Sequence, residues 1–386
     1  MSANPWQSDE ITSLRSTARD FAQREILPHL EEWERAGEIP RVLHRKAGAL
    51  GLLGPQFPEH AGGGGGDLRH QVTVCEALHE AGSSGGVQAS LLTCWISVPH
   101  IVTAGDQWQI DTWVVPTLAG DRIGALAITE PGGGSDVGHL RTTARRDEDH
   151  FVINGSKTFI TSGCRADFVV AAVRTGGPER RGASGVSLIV IDTDTPGFSV
   201  SRKLEKMGWN ASDTAELTFD DVRVPVRNLI GPENAGFDLI SQAFVSERVF
   251  LAAQAYSGAQ RALELTEQWC QDRVTFGEPL ISRQSVQNTL TEMARRIDVA
   301  RTYCRAVVDA DMRGEDVIAQ VCFAKNTAVE AGEWVVDRAV QLFGGLGYMR
   351  EIEVERQYRD MRILGIGGGT SEILTALAAK HLGYRS

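Results

Sequence analysis

Three stretches of the 386-residue chain hold residue types whose spacing could do chemistry. The first is RILGIGGGTSEIL (362–374), where three consecutive glycines just before a helix start leave the backbone bare of side chains. The second is ITEPGGGSD (128–136), whose glycines expose backbone N–H groups while Thr129 and Ser135 add hydroxyl donors, as an anionic or carbonyl-rich ligand needs. The third is a single carboxylate. Ile240, Phe244, Glu247, Leu251, Gln254 and Gly258 follow one another in alternating steps of four and three, the spacing of one helix face. Glu247 is therefore predicted to lie part-buried in a largely apolar stripe, where desolvation raises its pKa toward the range in which a general base works. Arg248, the next residue, points in another direction on the helix and is not its favoured partner.

Several other chemistries are excluded. No GxGxxG follows a strand, and neither GxxxxGK[ST] nor HExxH occurs. The six cysteines are widely scattered, with no CxxC and no Cys/His cluster at zinc spacing, so they are read as reduced packing residues and no metal is expected. A formal net charge of -11 without a basic stripe argues against nucleic acid or an anionic membrane as the main partner. The opening MSANPWQSDEITSL lacks a basic region followed by an apolar stretch, and no apolar run reaches spanning length, which predicts a cytoplasmic protein.

The elements that must position these stretches fall into three units. Over residues 1–122 the pattern is helical: Ile11, Leu14, Ala18, Phe21 and Ile26 keep near-helical period up to Pro28, and QVTVCEALHEAG and GVQASLLTCWISV follow. Over 123–232 short runs rich in Val, Ile, Phe and Thr alternate with turn signals, and Asn154-Gly155 between two such runs predicts a hairpin in a small antiparallel sheet. Over 233–386 long helical patterns return, joined by short loops as in a bundle. The fold class is α+β, mainly helical.

Read together with KTFITSG (157–163), DRVTFGEPLISRQSVQ (272–287) and QLFGGLGYMREIEVERQYRDMRILGIGGGTSEI (341–373), the ITEPGGGSD stretch gives four motifs in a fixed order. In this helical–β–helical frame the whole chain resembles the acyl-CoA dehydrogenase family of flavoproteins. The resemblance implies an N-terminal helical domain, a central antiparallel β domain and a C-terminal four-helix bundle, assembled as a homotetramer of two dimers that bind FAD, take an acyl-CoA substrate and pass electrons to an electron-transferring flavoprotein.

By motif, it also implies roles for individual residues. Ile128 and Thr129 would lie against the flavin, Ser135 near the pyrophosphate and substrate, and Phe159 and Thr161 on the other side of the isoalloxazine. Arg273, Phe276, Gln284, Gln341 and Gly345 would reach the adenosine half of a neighbouring subunit's FAD, while Thr370 and Glu372 close it from the same chain. Many members carry the catalytic glutamate at the position of Gly368, where this chain has none. The branch with isovaleryl-CoA and long-chain acyl-CoA dehydrogenases instead places the base on the preceding long helix directly before an arginine, as in Ser246-Glu247-Arg248, and this assigns the base to Glu247. The Gly368 N–H would still polarise the thioester carbonyl. Arg248, Ser135 and Gly367 are assigned to the substrate site, and Gly367 with Gly368 predicts a wide pocket near the thioester. Ala89, Leu92 and Ile96 fall on one predicted helical face and either line an uncharged acyl pocket or belong to the helical core. A flavin oxidase or monooxygenase on the same fold, or a non-catalytic CoA-binding protein, is the alternative.

Overall fold

The computed structural model describes residues 4–177 and 182–384. Its order is helical, β, helical. The N-terminal unit includes α1 (Asp9–Phe21), α2 (Leu68–Ala81), α3 (Gly85–Leu91) and α4 (Cys94–Ser97), with shorter helical pieces between and after them. Helix α2 starts where it does because Asp67 accepts the Arg69 amide while the His70 ring bonds back to the Asp67 amide, and it ends at Gly82 in the left-handed region at φ 103°. The predicted single helix over GVQASLLTCWISV is two helices, because the chain turns at Leu92-Thr93. Ala89, Leu92 and Ile96 therefore do not share one continuous helix face; Ala89 and Leu92 are buried and Ile96 half-buried. No single helix among the described residues is long and apolar enough to cross a membrane.

The central unit is one eight-stranded sheet: β1 (Gly124–Ala127), β2 (Thr143–Asp147), β3 (His150–Thr161), β4 (Phe168–Arg174), β5 (Val186–Asp192), β6 (Phe198–Lys203), β7 (Thr214–Pro225) and β8 (Leu229–Ile230). The order is β6-β7-β3-β2-β4-β5-β8, antiparallel except where β1 and the start of β2 run parallel to β4. The hairpin expected at Asn154-Gly155 is not there. Both residues lie inside β3, at a shift of register against β7, and the turn from β2 comes earlier, where Glu148 takes φ 55°. The reason is a contact distant in sequence: the Asn154 side-chain amide donates to Asp221 Oδ1 at 2.9 Å and its side-chain carbonyl oxygen accepts the Asp221 backbone amide at 2.9 Å. Gly155, at φ 147°, also lies where a Cβ would press on Thr142. A glycine flagged as a turn has become a bulge.

The C-terminal unit holds three long helices, α5 (Gly236–Asp272), α6 (Gln284–Met312) and α7 (Ile318–Phe343), with the short α8 (Glu353–Met361) and α9 (Ser371–His381). A two-stranded hairpin, β9 (Val274–Thr275) and β10 (Glu278–Pro279), projects from the end of α5. Val249, Ala252, Ala253 and Ala259 of α5 and Ala324, Ala328 and Val335 of α7 are buried, and small residues of this kind let helix backbones approach closely. Asp360 of α8 ties the three units together, its carboxylate accepting the Gly85 amide at 3.2 Å and the Trp209 amide at 2.6 Å.

Candidate active site

The predicted residues gather in three places. In the first, on the sheet, the 128–136 loop leaves β1 and is pinned from below by a buried ion pair. The Lys157 amine donates to Glu130 Oε1 at 2.9 Å and to the Ile128 carbonyl at 3.0 Å, while the Glu130 carboxylate also accepts the Arg141 and Thr142 amides at 2.7 and 2.9 Å. Burial holds Lys157 at a pKa of about 8 against the pull of Glu130. The Thr129 carbonyl accepts the Thr158 amide at 2.9 Å, so ITEPGGGSD and KTFITSG are joined by backbone. Above that pin, Gly132 and Gly133 face open space, with nothing within 4 Å of the point where a Cβ would stand, and Ser135 is exposed.

Phe159 is the unusual residue of this group. A register shift between Lys157 and Ile160 puts it at φ 60°, a region bulky side chains avoid, and its ring is 69 % exposed. Bulges of this kind redirect a side chain out of the ladder, and strained positions of this kind cluster at ligand sites. Thr161, two residues on, ends β3 opposite Thr214.

The second place is the carboxylate. Glu247 lies on α5 among the stripe its spacing predicts: Ile240, Leu251, Gln254 and Gly258 are buried and Phe244 partly so. A Cβ on Gly368 would stand 3.2 Å from Glu247 Oε1, so the carboxylate lies beside the point from which a side chain at 368 would grow. Burial pushes the Glu247 pKa up, opposed by the positive charges of Lys325 and Arg248. The room expected at Gly368 is not open, because Leu251 Cδ1 and Glu247 fill it and Gly368 is held at φ 63°. Gly367 does face space, with nothing closer to a Cβ there than the Ile363 carbonyl at 3.6 Å.

Lys325 belongs to none of the sequence motifs, and it organises this group. Almost fully buried on α7, its amine donates to the Gly367 carbonyl at 2.5 Å and the Gly369 carbonyl at 2.7 Å. In a trans peptide the carbonyl and the following N–H point opposite ways, so fixing the Gly367 oxygen on Lys325 turns the Gly368 N–H away from it. That N–H donates to no acceptor among the described residues. Burial lowers the Lys325 pKa to about 8 while Glu247 pulls it up. Arg248 is buried too, 5.0 Å over the Phe244 ring, and its Nε finds no hydrogen-bond acceptor among the described residues. Thr370 caps α9 by accepting the Ile373 amide at 3.3 Å, and Glu372 follows in the first turn.

The third place is the opposite end of α5. Arg273 lies 5.7 Å over Trp269, whose ring stacks on Phe343 at 5.0 Å and donates to the Leu342 carbonyl at 3.1 Å. Arg283 reaches from the start of α6 to the Thr275 carbonyl at 2.8 Å and lies 5.6 Å over the Phe276 ring. Arg273, Phe276, Gln284, Gln341 and Gly345 thus share one end of the bundle, all exposed, with Phe276 98 % exposed on the hairpin turn. Within one chain they do not meet Glu247, since 25 residues of α5 separate Glu247 from Asp272, a helical rise of about 37 Å.

Known proteins resemble this chain over nearly all of its length. Residues 8–121, 125–222 and 234–383 match the models of the N-terminal, middle and C-terminal domains of acyl-CoA dehydrogenase. The mitochondrial long-chain specific acyl-CoA dehydrogenase of Sus scrofa is 38 % identical over 375 residues, 97 % of this chain and 87 % of its own. A crystal structure of a putative acyl-CoA dehydrogenase from Mycobacterium smegmatis is 69 % identical with a TM-score of 0.98, over 99 % of this chain and 100 % of that one. Butyryl-CoA dehydrogenase from Megasphaera elsdenii is 31 % identical with a TM-score of 0.92, over 99 % and 100 %. The chain belongs to the acyl-CoA dehydrogenase family.

Proposed function

We propose that the protein is an FAD-dependent acyl-CoA dehydrogenase that removes the α-proton and a β-hydride from an acyl-CoA thioester to leave a trans-2-enoyl-CoA. The observation that carries this reading is the Glu247 carboxylate beside the unpaired Gly368 N–H: a base and a carbonyl-polarising donor on one short stretch of space. In this reading Glu247 takes the α-proton, burial having raised its affinity for it, and the Gly368 N–H donates to the thioester oxygen as negative charge develops there. Lys325 keeps that donor aimed and tempers the Glu247 pKa. Arg248, Ser135 and Gly367 belong to the substrate side, and space beside Gly367 supports a preference for short or medium acyl chains with bulk near the thioester.

Residues of this chain fit FAD. The Gly132 and Gly134 amides and the Thr129 and Ser135 hydroxyls offer donors to phosphate, the Gly133 N–H being held by the Glu130 carbonyl, and Phe159 offers a large exposed ring held out by strain. FAD, when bound, supplies the acceptor for the hydride. Residues 1–122, 123–232 and 233–386 are then three domains around one cofactor. Ile128, Thr129, Phe159, Thr161, Thr370 and Glu372 hold it from one chain, while Arg273, Phe276, Gln284, Gln341 and Gly345 serve a neighbour's. The separation along α5 supports that sharing, as do the exposed apolar side chains Val274, Phe276, Tyr348 and Met349 at that end. Dimers pairing into a homotetramer, an electron-transferring flavoprotein as acceptor and a cytoplasmic site complete the reading; six free cysteines support a reducing compartment.

The test is anaerobic titration with straight, branched and aromatic acyl-CoA thioesters. Bleaching of the flavin absorbance by short or medium branched chains is expected. No bleaching by any thioester would remove the dehydrogenase reading, and fast reoxidation of the reduced protein by oxygen would favour an oxidase.

A further inference from the structure

The face of α5 that carries Glu247 continues past Leu251 to Gln254 and Gly258, and there its surroundings change from apolar to polar. Gln254 borders a cavity of about 10 Å³ together with His79 of α2, Gln357 and Asp360 of α8, and Leu364 just before the glycine segment. The space suits one water-sized group. His79 is 3 % and Gln254 2 % exposed, yet neither ring nitrogen of His79 and neither amide atom of Gln254 has a hydrogen-bond partner among the described residues. Gln357 Oε1 and the His79 ring also face each other across Gly258, whose missing Cβ would stand 3.3 and 3.7 Å from them. Four buried polar atoms border one small cavity without a protein partner among the described residues, a setting that suits an ordered water or a polar group of the same size.

The chemistry of that ligand follows from the donors present. Burial lowers the His79 pKa to about 4, so its ring is neutral and offers one donor and one acceptor, while the Gln254 amide offers two N–H donors and a carbonyl acceptor. Among the described residues no Lys or Arg borders the cavity, and Asp360 does, its two oxygens accepting the Gly85 and Trp209 amides. A carboxylate would only accept, beside another carboxylate. A hydroxyl donates and accepts, is neutral and has the size of water. Gln254 stands seven residues beyond Glu247, about 10 Å along the helix axis, a reach suited to a medium acyl chain.

We propose that His79 and Gln254 form the distal end of the acyl site and recognise a hydroxyl group carried on the acyl chain. This rests on the acyl-thioester reading above. A hydroxyl has one O–H fewer than water and can satisfy up to three of the four polar atoms, whereas a methyl leaves all four buried and unpaired.

The experiment uses the FAD holoenzyme and two unreactive series, n-alkyl-CoA thioethers and ω-hydroxyalkyl-CoA thioethers of matched length, with affinity read from the perturbed flavin absorbance. At one chain length the hydroxyl compound is expected to bind about tenfold tighter than its alkyl partner. In Gln254→Leu and in His79→Leu that ratio should fall to one or invert. Equal or weaker binding of the hydroxyl series at every length in the unaltered protein overturns the proposal, and so does an unchanged ratio in both variants. Alkyl thioethers binding without a hydroxyl preference would sink this inference and leave the acyl-CoA reading standing; failure of every CoA thioether to bind would sink both.

Discussion

The two ends of α5 are built on opposite principles. Around Glu247 the chain is closed: Lys325 is buried, Leu251 packs over Gly368, and the polar groups are few and aimed. Around Arg273 and Phe276 it is open, with an aromatic ring wholly exposed on a hairpin and stacked rings lying beneath an exposed guanidinium. A closed end can tune a proton because burial acts on every charge in it. An open end of this composition gains nothing alone and is explained by what docks on it. In the reading proposed above the difference separates chemistry from assembly along one helix, and damage at the two ends is then expected to have different signatures.

The largest effect belongs to the closed end. Glu247→Gln keeps the shape and removes the proton acceptor, so turnover with a good acyl-CoA should fall by about 10⁴-fold or more while FAD content and thioether affinity stay near normal. Near-normal turnover in that variant at saturating substrate would sink the assignment of the base.

Lys325→Met should come next. Loss of its two hydrogen bonds frees the Gly367–Gly368 peptide, and the misaimed oxyanion donor should lower kcat by about 10²-fold. The pH profile provides a second reading. Glu247 must be ionised to act, so activity is lost as pH falls through its raised pKa. Lys325 holds that pKa down, and removing its charge should move the acidic limb to higher pH. An unmoved limb with reduced kcat would leave Lys325 a packing residue only.

The smallest effect should come from the open end. Phe276→Asp should weaken subunit association and FAD retention by about tenfold, with kcat restored when FAD and protein concentrations are raised. A monomer of this variant with full FAD and full activity would erase the contrast between the ends.

What the sequence disclosed follows the same division. Helical period alone placed Glu247 in an apolar stripe, since a long helix preserves its spacing whatever packs against it. Asn154-Gly155 misled because a glycine that suits a hairpin also suits a bulge, and the choice was made by Asp221, 67 residues away. The break of α3 at Leu92-Thr93 carries neither Gly nor Pro and gave no local warning. Lys325 did leave a signal: with Val321, Ala328 and Gly332 it lies on the buried side of α7, and a lone lysine on such a face calls for a partner. That its partners are two glycine carbonyls more than forty residues on could be known only from the folded chain.

The donor set by Lys325 is a main-chain group, and this matters for how such an enzyme can change over generations. In the proposed reading the carbonyl-polarising half of the machinery needs no side chain at position 368, where a φ of 63° and Leu251 Cδ1 against the place of a Cβ both favour glycine. The carboxylate is bound only by where its oxygens end. Glu247 Oε1 lies 3.2 Å from the point where a side chain on 368 would begin, so a carboxylate on the loop and this one on the helix would compete for one place. In that reading the proton acceptor can come from either segment, because the other half of the site is a main-chain group.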